Sequence, residues 1–145
     1  MRRKVFMVGV SAAILVAIIV GLFTVGGPDQ ARRDMFDLRR YEDLGEIAYA
    51  LSCPNWRVSQ PELPDELTLE SLRSYCGGVQ IEADVLLDNE TGAPYVYERK
   101  SGSEFSVCAD FYDAEKTMRL GYRRYLDGVQ TSFNPETGCV SGRVN

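Results

Sequence analysis

Three observations predict an α+β fold, with an N-terminal transmembrane helix followed by an amphipathic helix packed on a small antiparallel sheet. The first is an uncharged apolar run of 21 residues, Val5 to Val25. The second is a stripe of apolar residues at spacings of three and four between Ala31 and Leu51. The third is a pair of alternating runs between Tyr95 and Ala109, joined by a glycine-containing turn. The 145-residue chain then divides into an anchor over 1–27 and a head over 28–145.

About 20 apolar residues in helical form cross the ~30 Å hydrocarbon core of a bilayer, so residues 5–25 are long enough to contact lipid as a span. Arg2, Arg3 and Lys4 precede the run, which by the positive-inside rule holds the N-terminus in the cytoplasm. A cleaved signal peptide has a shorter apolar region and a small-residue cleavage site. Here Gly26 and Gly27 run directly into Pro28, so a retained anchor is expected. No cysteine stands directly after the run, which excludes a lipoprotein. Gly9, Ala13 and Ala17 stand four apart, a small-xxx-small row of the kind that lets two helices approach closely. The ordinary Gly and Ala content of an anchor yields the same row.

"GGP" at Gly26 to Pro28 breaks the chain, and Ala31, Met35, Leu38, Leu44, Ile47, Ala48 and Leu51 then predict an amphipathic helix that Pro54 ends. The stripe is expected to pack within the head. The i,i+4 pairs Arg33–Asp37 and Arg39–Asp43 are expected on the exposed face. A proline-punctuated connector carries Trp56 as a lid over the core. A short helix near Leu67 to Tyr75 follows, capped by Thr68 with Ser71 and closed by Gly77 and Gly78.

In the hairpin, Tyr95, Tyr97 and Arg99 alternate with Val96 and Glu98. Phe105, Val107 and Ala109 alternate with Ser106, Cys108 and Asp110 around the turn "RKSGSE". A lone hairpin is marginal in water, so the tyrosine face is expected on the helix stripe, with the phenol oxygens hydrated at the edge. In "DNETG" an Asx-type side chain caps the turn and Gly92 supplies a positive φ. Asp84, Asp88 and Glu90 offer hard oxygen ligands for calcium, but the spacing is not that of an EF-hand. No metal or cofactor is expected. Lys116, Arg119 and Arg123 share one face of a helix in the tail, a solvated face or a docking surface.

Cys53, Cys76, Cys108 and Cys139 all follow the apolar run, as two disulfides of an exported domain would. Of the three pairings, 53–76 with 108–139 is the most local, each closure stabilising by about 3–4 kcal/mol. Zinc is disfavoured by the absence of histidine and of any C-x-x-C pair. Beyond residue 28, 13 Lys/Arg stand against 21 Asp/Glu, a balance that excludes nucleic acid as a partner. Without histidine, no Ser-His-Asp or Cys-His site can form, and no glycine-rich phosphate loop is present. Catalytic residues are therefore not expected.

Read in order, "R-x-x-DL-x-x-I" (Arg40 to Ile47), "LP-x-x-L" (Leu63 to Leu67), "TG-x-PY-x-Y…CA-x-F" (Thr91 to Phe111) and "TGC" (Thr137 to Cys139) resemble a group of uncharacterised bacterial single-pass membrane proteins. More distantly, the head is similar to the major pseudopilin of type II secretion systems. This chain has no glycine before its apolar run and no glutamate within it, so that resemblance concerns the fold of the head rather than polymerisation. The expected role is a non-catalytic accessory or assembly subunit of a larger complex in the bacterial inner membrane, its head periplasmic and its partners other membrane protein subunits. A pilin-like component of a secretion or surface apparatus is the alternative, and a small exported enzyme the third reading.

Overall fold

Helix α1 covers Arg2–Val25 and helix α2 covers Pro28–Ser52 in the computed structural model, which describes residues 2–25, 27–53, 62–77, 80–120 and 131–144. Two compact units, Met1–Arg33 and Asp34–Asn145, make up the chain. In the first, the side chains described along α1 are those of 7 and 9–21; Val10, Ile14, Leu15 and Val16 among them are exposed. The other side chains of the run 5–25 lie outside the described residues. Among the described residues no helix is long and apolar enough to cross a membrane. This overturns the expected transmembrane helix and, with it, the single-pass inner-membrane location.

Pro28 opens α2 at a position where its missing N–H costs nothing, and Gln30 and Ala31 donate to the Gly27 carbonyl at 3.0 and 3.2 Å. The inner face of α2 carries Asp37, Arg40, Tyr41, Leu44, Ile47, Ala48 and Leu51. Its C-terminal half is the expected stripe. Its N-terminal half is not: Met35 is 64% exposed and Leu38 38%. Counting back from Leu44 in helical phase reaches Tyr41, Arg40 and Asp37, so the buried stripe continues through charged residues. Asp37 and Asp43, expected on the exposed face, are both buried. The Arg39–Asp43 pair does form, at 3.2 Å, but only Arg39 faces water.

Helix α3 (Leu69–Tyr75) begins in a reciprocal cap. Ser71 N–H donates to Thr68 Oγ1 at 3.1 Å, and Thr68 N–H donates to Ser71 Oγ at 2.9 Å. It buries Leu72 and Tyr75, and the Tyr75 hydroxyl donates to the last-turn carbonyl of Leu51 at 3.0 Å. The Cys53–Cys76 disulfide ties the same two helix ends, with Cα atoms 5.8 Å apart. Trp56, the expected lid, and Gly78 lie outside the described residues.

Four strands follow: β1 (Val96–Arg99), β2 (Glu104–Cys108), β3 (Thr131–Asn134) and β4 (Cys139–Arg143), in the antiparallel order β1-β2-β4-β3. Period-two alternation sorts the residues into rows. Tyr97, Val107, Val140 and Phe133 form one row of the inner face, and Arg99, Phe105, Gly142 and Thr131 another. The outer rows are Val96, Cys108, Cys139, Asn134 and Glu98, Ser106, Ser141, Ser132. Tyr41 of α2 meets Phe133 edge to face at 5.1 Å, which places the helix on the inner face. Arg99 reaches the Leu63 carbonyl at 2.9 Å and Asp65 at 2.7 Å, holding the connector to the hairpin.

Two glycines permit close approaches. A side chain on Gly142 would enter the ring of Phe105. Gly138 closes the β3–β4 turn at φ +66°, where a Cβ would strike the Ala109 carbonyl oxygen. Gly138→Ala should therefore lower the stability of the chain by about 2–4 kcal/mol in thermal unfolding; a loss indistinguishable from zero would show that this turn relaxes freely.

Candidate functional site

Arg40 leaves the middle of the inner face of α2 and is 5% exposed. Its Nε and Nη2 fork onto Asp88, the second contact at 3.3 Å. Nη2 also reaches Glu90 at 2.6 Å, and Nη1 reaches Asp37 at 3.2 Å. The guanidinium carbon lies 5.5 Å from the ring centroid of Tyr112. Planar, five-donor geometry is what lets one side chain hold three carboxylates at once.

Each carboxylate has further duties. Asp88 Oδ1 accepts from the N–H groups of Glu90 and Thr91 at 3.0 and 2.8 Å and from the Thr91 hydroxyl at 3.0 Å. This is the expected Asx cap, with Gly92 at φ +69° completing the turn. Asp37 accepts from the N–H groups of Tyr112 and Asp113 at 3.0 and 2.7 Å. The Tyr112 hydroxyl donates to Glu90 at 2.7 Å. Asp113 then starts α4 (Ala114–Leu120), accepting from Lys116 N–H at 2.9 Å. Lys116 Nζ in turn pairs with Asp34 at 2.6 Å.

Burial alone would push the Asp88 carboxyl up, but bonds from Arg40 and Thr91 outweigh it and hold the group at about 2. Burial opposes the Arg40 charge, and the bonds to Asp88 and Glu90 more than restore it, raising its pKa further. Asp43 behaves in the opposite way. Burial pushes its carboxyl up to about 6, against the Tyr95 hydroxyl, which donates to it at 2.9 Å, and against Arg39. Tyr95 is raised by burial and by the neighbouring Asp43. The expected hydrated phenols are thus absent at both positions: Tyr97 donates to the Pro64 carbonyl at 2.8 Å and burial pushes its hydroxyl up to about 12.

Two small clefts flank the Leu87–Pro94 bridge. One, of about 150 Å³, is lined by Arg40, Asp88, Thr91, Tyr95, Cys108 and Thr137 among others. The other, of about 250 Å³, is lined by Arg39, Asp43, Asp84, Leu87, Asp88 and Asn89 with Gly92. Both are smaller than the several hundred cubic ångströms of a small-molecule site. The oxygens considered for calcium are engaged otherwise: Arg40 holds Asp88 and Glu90, and Arg39 stands 3.9 Å from Asp84. Among the described residues no cluster is arranged to hold a metal ion.

The cysteines pair as expected, Cys53 with Cys76 and Cys108 with Cys139. Of the basic residues of the tail, Lys116 is paired with Asp34, Arg119 is exposed on α4, and Arg123 lies outside the described residues. Gly9, Ala13 and Ala17 are exposed on α1. Sequence reasoning missed the Arg40 cluster and the Asp43–Tyr95 pair. The signal was the phase of the Leu44–Leu51 stripe, which runs back onto Arg40 and Asp37. Compared with protein-family models, curated proteins and solved structures, the chain matches none.

Removing the guanidinium leaves buried carboxylates uncompensated, so Arg40→Leu should cost about 3–5 kcal/mol in urea unfolding. Arg40→Lys should rescue little, because one ammonium cannot fork onto Asp88 while reaching Glu90 and Asp37. Full rescue by lysine would reduce the cluster to a point charge.

The Asp43 carboxyl yields a pH prediction. Between pH 4 and about 6 the folded chain retains a proton there that the unfolded chain has released, so stability falls as pH rises through that window. By pH 7 the loss is on the order of 3 kcal/mol. Asp88 acts oppositely, losing its contribution as pH falls from 4 towards about 2. Asp43→Asn, uncharged and still an acceptor for Tyr95, should flatten the decline between pH 4.5 and 7. An unchanged slope would assign the titration to another group.

Proposed function

We propose that the head is a non-catalytic assembly module that docks a protein partner on the surfaces of α2 and α4 its own core leaves uncovered. The observation that carries this reading is the exposure of large flexible apolar side chains on these helices: Met35 on α2, and Met118 and Leu120, 65% exposed, on α4. Methionine adapts its shape to a partner at little cost. The Lys116–Asp34 pair and the bonds from Tyr112 and Asp113 to Asp37 hold the start of α4 against this part of α2. Arg119 adds an exposed cation on the same short helix. The partner surface that fits is apolar, with a carboxylate opposite Arg119. Charged groups that line the two clefts beside the Leu87–Pro94 bridge are already engaged, Arg40 with Asp88 and Arg39 with Asp43, which supports a non-catalytic role.

A photo-reactive residue at Leu120 in the full chain tests this in the native host. The expected result is one crosslinked protein in constant ratio, lost in Met35→Asp/Met118→Asp at unchanged melting temperature. Arg119→Glu should weaken the captured complex about tenfold, more at low salt than at high salt. Crosslinking that survives the double substitution would place the docking surface elsewhere.

A further inference from the structure

The two disulfides sit in different surroundings. Cys53 and Cys76 are 1% and 4% exposed and belong to the apolar core. Cys108 and Cys139 are half-buried and face each other directly across the β2–β4 ladder, on the outer face of the sheet. In their own row they are flanked by Val96, 68% exposed, beside Cys108 and by Asn134 beside Cys139, while the next row holds Ser106, which is buried, and Ser141. Cys108 also lines the smaller cleft. Thiol–disulfide exchange requires access to sulfur, and accessible disulfides are the labile ones.

From this geometry we infer that Cys108–Cys139 is a thiol–disulfide exchange site, a clasp that a dithiol reductant opens by attack on Cys139 while Cys53–Cys76 stays closed. The direction follows from what stands beside each sulfur. Ser106 Oγ lies 3.8 Å from Cys108 Sγ and can turn its proton to a thiolate there. The carbonyl oxygen of Thr137 lies 3.3 Å from Cys139 Sγ and opposes negative charge on it. Cys108 is therefore the better leaving group. One thiolate of the reductant bonds to Cys139 Sγ as the Sγ–Sγ bond breaks, and the electron pair leaves on Cys108 Sγ. The second thiol, deprotonated by solvent, attacks the reductant's own sulfur in the mixed disulfide and releases Cys139 as a thiolate. The dithiol loses two electrons and becomes a disulfide; the cysteine pair gains them.

Next to the clasp, Ala109 N–H donates to the Gly138 carbonyl at 3.1 Å. Ala109 leads within a few residues to Tyr112 and Asp113, whose N–H groups hold Asp37 of the Arg40 cluster. Reduction thus acts on the segment that positions α4.

Graded dithiothreitol on the full chain, quenched with an alkylating label and mapped by peptide mass, tests the inference. Cys108 and Cys139 should label at least about tenfold faster than Cys53 and Cys76. Glutathione should form its mixed disulfide on Cys139. Ser106→Ala should slow opening of the clasp about fivefold, with the rate at Cys53–Cys76 unchanged and Ser106→Thr restoring the original rate. Equal labelling of both pairs, or an adduct on Cys108, would overturn the assignment. An equal change at both disulfides in Ser106→Ala would reflect general loosening and remove Ser106 from the mechanism.

Discussion

Arg40 sits where three parts of the head must meet: the inner face of α2, the turn at Asp88 to Gly92, and the segment that starts α4. Burying a guanidinium costs several kcal/mol, and the cost is offset only when every donor finds an acceptor in good geometry. Here Asp37, Asp88 and Glu90 supply the acceptors, and two of them are already aimed by backbone N–H groups. The cluster is best understood as a registry device. A shift of the turn or of the α4 segment relative to α2 would strand a buried charge, so few other arrangements of these elements compete with the native one.

Around that point the remaining constraints are covalent or steric. Cys53–Cys76 joins the end of α2 to the end of α3, and Cys108–Cys139 joins the two central strands. Gly138 and Gly142 let the Ala109 carbonyl and the Phe105 ring come close to β4, so the tail returns onto the hairpin without a gap. Tyr95 and Asp43 form a second, weaker polar link between helix and hairpin. It differs from the Arg40 cluster in one respect: its carboxyl changes charge near neutral pH, so this link responds to acidity while the other does not.

Polar groups spent on holding the fold are unavailable for chemistry, and this is the physical link between architecture and the proposed role. The strongest electrostatic feature of the head is turned inward and satisfied. What the head presents outward is apolar and adaptable at Met35, Met118 and Leu120, and reducible at Cys108–Cys139. A docking module whose α4 segment lies just downstream of an exchangeable clasp would couple partner binding to redox state through a few residues of chain.

Local chemistry was legible in the sequence. The cap at Thr68 and Ser71, the Asx turn at Asp88 with Gly92, and the alternation of Tyr95, Val96 and Tyr97 each depend on neighbours within a short stretch of chain, so residue type and spacing determined them. The apolar half of α2, Leu44 to Leu51, was legible for the same reason. The run 5–25 was read as a membrane span from its composition, and no helix among the described residues meets that requirement. Only the tertiary structure decided which face of α2 turns inward before Leu44. Met35 and Leu38 look buried by type, and Asp37 and Arg40 look exposed; the order reverses where partners about fifty and seventy-five residues away, at Asp88 and Tyr112, meet the charged residues inside the fold and offset the cost of burying them. Hydrophobic pattern records the free energy of a side chain alone, whereas burial of a charge depends on what the fold brings to meet it.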